Sequence, residues 1–116
     1  MKRLLFVCLL VACSKKQEAP PKQQAVPQMT PAEIQRSQDA CKAYVDKVCG
    51  CAATVPAVQQ ECDLAKALPD AVRIGVEVSQ SAESKRDDVI GAQSSVRKTV
   101  KTCIEKMAQL PSRGCP

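Results

Sequence analysis

The chain contains no histidine and no tryptophan, and only one tyrosine and one phenylalanine. Histidine is the side chain that most often transfers protons near neutral pH, so mechanisms and metal sites that depend on it are excluded. No serine–lysine or paired-carboxylate motif stands out, and aromatic rings are too few for the stacking that binds single-stranded nucleic acid. We therefore predict a protein that is not an enzyme, with no cofactor, no metal site, no small-molecule substrate that we identify and no nucleic-acid partner.

The chain also lacks an apolar run long enough to cross a membrane. The apolar stretch at residues 4–11 extends about 12 Å as a helix, whereas a bilayer's hydrocarbon core is roughly 30 Å thick. Lys2 and Arg3 precede this stretch and the small residue Ala12 follows it. This order of charge, apolar run and small residue is typical of a signal peptide rather than a membrane anchor.

The stretch ends in Leu10-Val11-Ala12-Cys13, which resembles the lipobox of bacterial lipoproteins. The resemblance covers residues 1–14. It implies that residues 1–12 are removed and that Cys13 becomes the lipidated first residue, with a diacylglycerol thioether carrying acyl chains such as palmitate. The membrane is then a partner through this lipid. In Gram-negative lipoproteins, an aspartate directly after the lipidated cysteine resembles an inner-membrane retention signal. This chain has Ser14 at that position, which implies the outer membrane if the organism is Gram-negative.

The residues after Cys13 predict a flexible tether. Residues 14–29 are rich in lysine, glutamine and proline and poor in large apolar side chains, so they bury too little surface to become ordered. We divide the chain into a signal peptide at 1–12, the lipidated cysteine with its disordered tether at 13–30, and a cysteine-rich helical domain at 31–116.

Cysteine is abundant, with eight residues in the chain. Cys8 leaves with the signal peptide and Cys13 is used for the lipid. The six disulfide candidates that remain are Cys41, Cys49, Cys51, Cys62, Cys103 and Cys115. An even number of cysteines in a small exported domain predicts three structural disulfides, which compensate for a core poor in aromatic residues.

The domain opens with a strong helix signal. Thr30 is a good N-cap, Pro31 suits the first helical position and Glu33 completes a capping box. An apolar face then recurs at three-, four- and seven-residue steps. With Gly50 as C-cap, the first helix is predicted at about 31–49.

The middle of the domain is ambiguous. A second helix restarts at Thr54, follows an apolar stripe as far as Ser79, and is kinked or broken near Pro69. Residues 72–79 also alternate between apolar and other side chains, as a strand does. Because no second strand is available to pair with it, we prefer the helix.

The third helix has the clearest periodicity. It is predicted to start at the capping box Ser84-Lys85-Arg86-Asp87 and to end before Pro111, with a heptad-like apolar seam between them. Its later part carries basic side chains, which we interpret as a solvated helix face whose cations suit its C-terminal half. These are Arg97, Lys98, Lys101 and Lys106.

Three amphipathic helices with short links predict a small all-α, disulfide-stapled, antiparallel three-helix bundle. We estimate the position of each cysteine along the bundle axis from its distance to the helix–helix turns. This comparison favours Cys51–Cys115 and leaves two arrangements open for the other four cysteines. These are Cys41–Cys62 with Cys49–Cys103, or Cys41–Cys103 with Cys49–Cys62.

The expected function is a structural or protein-interaction role at the cell envelope, with an envelope protein as partner. The alternative comes from Cys49-Gly50-Cys51, two thiols close enough in sequence for redox cycling or soft-metal binding. A helix C-terminus carries negative partial charge and disfavours a thiolate, so structural bridging is the preferred interpretation.

Overall fold

A computed structural model describes residues 26–116. The predicted signal peptide, Cys13 and Ser14 lie outside the described residues, as does most of the predicted tether. The described part is a helical bundle without strands, which confirms the all-α class. It contains four α-helices where three were predicted: α1 (Pro31–Ala52), α2 (Gln59–Ala65), α3 (Leu68–Gln80) and α4 (Arg86–Gln109). Short 3-10 helices cover Pro56–Val58 and Pro111–Arg113.

Helix α1 begins at the predicted residue but ends later than predicted, and Glu33 does not complete the predicted capping box, because its carboxylate pairs with Arg97 instead. The Thr30 hydroxyl oxygen accepts the Glu33 N–H at 3.1 Å, and Pro31 is the first helical residue. Gly50 lies inside the helix, so its prediction as the C-cap is wrong. The helix ends after Ala52 with ordinary right-handed backbone angles at the next residue, and no left-handed residue is needed.

The predicted second helix consists of two helices separated by a short turn at residues 66–67. Pro69 lies in the first turn of α3, where its missing N–H would have no intrahelical partner. The break therefore falls near Pro69 as predicted. Residues 70–80 are helical and bury Val72, Val76 and Ser79, so the strand alternative is excluded.

Helix α4 begins one residue later than its predicted capping box implied. Lys85 occupies the N-cap position, and the Asp88 carboxylate accepts its N–H at 3.3 Å. Ser84 instead donates its N–H to the Ser81 carbonyl, in the turn that leaves α3. Pro111 follows the helix end as predicted and starts the 3-10 turn.

The residues just before α1 pack against the bundle. Met29 is 3 % exposed, and its sulfur lies 3.9 Å from the Ser79 hydroxyl oxygen at the end of α3. The Gln93 side-chain amide of α4 donates to the Pro27 carbonyl at 2.8 Å. The prediction assigned these residues to the disordered tether, whereas the structure makes them part of the packed domain. Met29 precedes the first helix and belongs to no apolar repeat, so the sequence pattern did not indicate its burial.

The core is built mainly from valine and cysteine side chains, with contributions from each α-helix. Its members are Met29, Cys41, Tyr44, Val48, Ala52, Val58, Cys62, Ala65, Val72, Val76, Val96, Cys103, Leu110 and Cys115. Tyr44, the only tyrosine, is 3 % exposed. Within residues 26–116, no helix is long and apolar enough to span a membrane.

Candidate functional site

All six disulfide candidates are bonded in the structure. The pairs are Cys41–Cys103, Cys49–Cys62 and Cys51–Cys115, with Cα–Cα distances of 5.0, 4.7 and 5.6 Å. This is the second of the two arrangements that the sequence left open. The choice depends on which helix faces meet, and the spacing of cysteines along the chain does not contain that information.

Helix α1 contributes one cysteine to each disulfide. Its bonds reach α4, α2 and the C-terminal tail, at sequence separations of 62, 13 and 64. By chain entropy, cross-links of these lengths each stabilise the folded state by about 3–4 kcal/mol. Helix α3 is the one long helix without a disulfide, and packing against α4 and α1 holds it.

Gly114 lets the C-terminal tail return to α1. Its φ is 90°, a left-handed conformation that glycine adopts without a steric penalty. The next residue, Cys115, donates its N–H to the Leu110 carbonyl at 3.0 Å and is 1 % exposed. The last disulfide is therefore seated in the core rather than on a loose tail.

Cys49 and Cys51 belong to two different disulfides. Residues two apart on a helix face different directions, and here one sulfur meets α2 while the other meets the tail. The arrangement thus provides two separate cross-links rather than one redox-active pair. In residues 26–116, no group of three or more histidine, cysteine, aspartate or glutamate side chains is placed to hold a metal ion.

A partly buried ion cluster joins α2 to the end of α4. The Glu61 side chain is 18 % exposed; it accepts a hydrogen bond from Arg113 and lies 3.9 Å from the Lys106 ammonium. Tyr44 lines a small pocket of about 170 Å³ beside this cluster. Burial, and then the negative charge of Glu61, raise the pKa of Tyr44. The sequence interpretation missed Glu61, because its partners lie far away in the chain and no local pattern connects them.

An open groove of about 670 Å³ runs between α3 and α4. We call it the acidic groove, because its only charged lining residues are Asp87 and Asp88. Neither carboxylate has an ion-pair partner within the described part of the chain. The remaining lining residues are small or apolar: Ala71, Ile74, Gly75, Val78, Ser84, Gly91, Ala92 and Ser95.

The opposite flank of α4 carries cations and exposed isoleucines. We define the basic face as Ile90, Arg97, Lys101 and Ile104 of α4 together with Arg36 of α1; all five are exposed. The four α4 residues follow one another at seven-, four- and three-residue steps, so they form one stripe. Of the four cations predicted to lie on a solvated helix face, Arg97, Lys98 and Lys101 are exposed, whereas Lys106 is half-buried and lies beside Glu61. The isoleucines beside them were not predicted to be exposed.

Large apolar side chains are exposed at only a few described positions. They are Leu64, Ile74, Ile90 and Ile104, which are 69, 48, 43 and 58 % exposed. Ile74 lines the acidic groove, whereas Ile90 and Ile104 belong to the basic face.

Comparison with protein-family models, with curated proteins and with solved structures finds no significant match.

Proposed function

We propose that this protein is an exported, lipid-anchored protein of the bacterial cell envelope, whose disulfide-stapled helical domain has a structural or protein-interaction role and no catalytic one. The observation that carries the proposal is the bonding of all six cysteines of the domain. Structural disulfides persist in oxidising compartments outside the cytoplasm, which agrees with a signal peptide.

The lipobox-like sequence supplies the anchor in this proposal. Cleavage just before Cys13 would make it the first residue of the mature chain. Its acyl chains would then hold the domain at the membrane surface. With Ser14 in the next position, the proposed location is the outer membrane in a Gram-negative organism. The first described residues, from Val26 onward, already lead into the packed domain. The tether is accordingly proposed to be shorter than residues 13–30.

We further propose that the helices form an up-down-up antiparallel bundle, with α2 and α3 together as the middle leg. Contacts between α1 and α4 progress in the same direction along both helices, as Glu33–Arg97 and Cys41–Cys103 illustrate. The middle leg begins beside the end of α1, where Cys49 bonds Cys62, which supports a chain that reverses direction twice.

An interaction role is supported by the surface rather than by any reactive group. The described domain presents a groove and a face whose apolar side chains are exposed, and such patches rimmed by charge are typical of interaction sites. The thiol-redox alternative loses its support from geometry, because Cys49 and Cys51 are in separate bonds. It remains as an outcome of the experiment below.

The decisive experiment measures the intact mass of the full-length protein extracted from membranes, alkylated with and without prior reduction. We expect a mass that starts at Cys13 plus acyl chains, no alkylation before reduction and six alkylated cysteines after it. Two sites alkylated before reduction, at Cys49 and Cys51, would revive the redox alternative.

A pair of matched variants tests the anchor. Cys13→Ala should abolish acylation and release the protein from the membrane lipid. Cys8→Ala removes the other signal-peptide cysteine and should leave acylation and fractionation unchanged. A Cys13→Ala protein that is still acylated refutes the lipobox interpretation.

A further inference from the structure

The small pocket between α2 and α4, which we call the Tyr44 pocket, contains a hydroxyl without a partner. Tyr44 is 3 % exposed, and its hydroxyl forms no hydrogen bond with any other residue of 26–116. Every fully buried side-chain nitrogen or oxygen atom in this part of the chain has a partner, so the Tyr44 oxygen is not fully buried. Because Tyr44 lines the pocket, its hydroxyl is available to a ligand there.

The same pocket has an excess of positive charge. Arg113 donates a hydrogen bond to the Glu61 carboxylate, and the Lys106 ammonium lies 3.9 Å from the same oxygen atom, which is too long for a hydrogen bond. Two cations thus share one carboxylate, whose side chain is only 18 % exposed. A second carboxylate would neutralise the cluster and give the Lys106 ammonium an acceptor. The Tyr44 pKa is raised, so the hydroxyl stays protonated at neutral pH and can donate to that carboxylate as well.

The rest of the pocket wall is mainly apolar. Leu64, Ala65 and Leu68 line it, and the hydroxyl of Thr102, the remaining lining residue, donates to the Lys98 carbonyl at 3.1 Å. The volume of about 170 Å³ holds about six water molecules at about 30 Å³ each. Sites that enclose a whole small molecule usually measure roughly 300–1,000 Å³, so this pocket has the size for a single anchoring residue.

We propose that the Tyr44 pocket binds the C-terminal residue of a partner polypeptide when that residue is aliphatic. The terminal carboxylate would lie at Lys106 and the Tyr44 hydroxyl, and the aliphatic side chain would pack against Leu64 and Leu68. A C-terminal residue carries its carboxylate and its side chain on one Cα atom, so both fit a pocket of this size. Capture of a terminal carboxylate is a recurring mode of peptide recognition. The proposal rests on the interaction role proposed above and names the part of the partner that is recognised.

The exposure of Leu64 favours a polypeptide over a free carboxylic acid. This side chain is 69 % exposed although it lines the pocket. An acid small enough to enter the pocket leaves most of Leu64 in water, whereas the residues that precede a C-terminus can cover it. A pocket that takes one anchor, surrounded by residues that exclude water, is the usual centre of a protein interface.

A peptide-binding measurement on the full-length protein, extracted from membranes in detergent, tests the proposal. The probe is the fluorescein-labelled peptide Gly-Ser-Gly-Leu with either a free C-terminal carboxylate or a C-terminal amide, and fluorescence anisotropy reports binding. We expect the free carboxylate to bind about tenfold more tightly, because the amide has no charge for the ammonium to pair with. Equal binding of the two peptides, or binding of neither, overturns the proposal.

Two variants with matched controls locate the binding. Lys106→Met removes the cation but keeps an apolar stem, and should weaken binding of the free carboxylate about tenfold. Lys101→Met removes the same charge from a side chain that is 75 % exposed and lies outside the pocket, and should have no effect. Leu64→Ala should weaken binding several-fold, whereas Ile104→Ala, at another exposed apolar position, should not. If each control weakens binding as much as its partner variant, the attraction is non-specific and the proposal is overturned.

The hydroxyl is tested by Tyr44→Phe, which keeps the ring. Since this hydroxyl has no partner within residues 26–116, the variant should fold as the wild type does at neutral pH. Binding of the free carboxylate should weaken about fivefold, with little change for the amide. Unchanged binding of the free carboxylate would contradict a role for the hydroxyl and overturn the assignment.

Competition with pentanoate separates a polypeptide terminus from a free acid. Pentanoate at the concentration of the peptide should not displace it, because it cannot cover Leu64. Equal potency would show that a short-chain acid is a sufficient ligand and would overturn the assignment to a polypeptide. The intact mass and the release of Cys13→Ala from the membrane are measured without any peptide. Failure of the envelope proposal and failure of the Tyr44 pocket are therefore distinguishable.

Discussion

A Cβ atom built on Gly75 of α3 would lie 2.5 Å from the Val96 Cγ2 atom of α4. No real side chain tolerates this distance, so the absence of a side chain at Gly75 lets the two helices approach closely. This contact matters because α3 is the long helix that no disulfide ties to its neighbours. Val96 itself is 1 % exposed and is part of the buried core.

Gly75→Ala should therefore destabilise the domain. Helix propensity favours alanine by about 1 kcal/mol, whereas overpacking a well-filled core costs about 1–3 kcal/mol, so the net effect is a loss of stability. Denaturant unfolding with the disulfides intact measures it. Gly91→Ala is the matched control and should gain about 0.5–1 kcal/mol, since only helix propensity changes there. Equal effects of both substitutions would contradict the close packing of α3 on α4.

The Cys41–Cys103 disulfide should contribute more to stability than Cys49–Cys62. It closes a loop of 62 rather than 13 residues and both of its cysteines are fully buried. Replacing both Cys41 and Cys103 by alanine should lower the free energy of unfolding by about 4 kcal/mol, against about 3 kcal/mol for the shorter loop. Thermal melting of the two double variants compares them.

Single substitutions check the same pairing chemically. Cys41→Ala should leave one thiol that is alkylated without reduction once the protein is unfolded, and peptide mapping should locate it at Cys103. Modification at Cys62 instead would favour the other arrangement that the sequence left open.

The Thr30 side chain should stabilise the start of α1. Thr30→Ala removes the acceptor of the Glu33 N–H and should lower stability by about 1 kcal/mol. Thr30→Ser keeps the hydroxyl and should stay close to the wild type. The Glu33 side chain pairs with Arg97 rather than with the Thr30 backbone, so Glu33→Gln tests a separate interaction. This solvent-accessible ion pair should contribute less than about 1 kcal/mol to the free energy of unfolding.

Tyr44 should ionise at a higher pH in the folded protein than in the unfolded chain. Its pKa is raised above the ordinary value of 10.0, mainly by burial and then by the charge of Glu61. As pH rises past the unfolded pKa, the unfolded chain releases its proton first, so stability falls with increasing pH in the window up to the folded pKa.

Because the chain has a single tyrosine, phenolate absorbance during an alkaline titration reports this residue alone. The midpoint should be higher without denaturant than with it. Tyr44→Phe should remove this contribution to the alkaline loss of stability, and a folded midpoint at or below the unfolded one would contradict the burial of the ring.

Local signals in the sequence determined the class of the fold and several helix ends. Thr30 and Pro31 begin α1, and Pro111 follows the end of α4, because a cap or a missing N–H acts within one turn of the chain. The even set of six cysteines similarly indicated three disulfides, because in a domain expected to be exported to an oxidising compartment thiols tend to pair.

Only the tertiary structure decided which helix faces meet. In the folded protein, Cys41 bonds Cys103 rather than Cys62. Met29, predicted to lie in the tether, is buried in the core, and Gly50 lies inside a helix. Glu61 pairs with Arg113, and a groove lined by Gly91 lies between α3 and α4. These contacts join residues that are far apart in the chain. Their free energy depends on how whole helices fit together, and neither propensity nor periodicity, which act over one or two turns, contains that information.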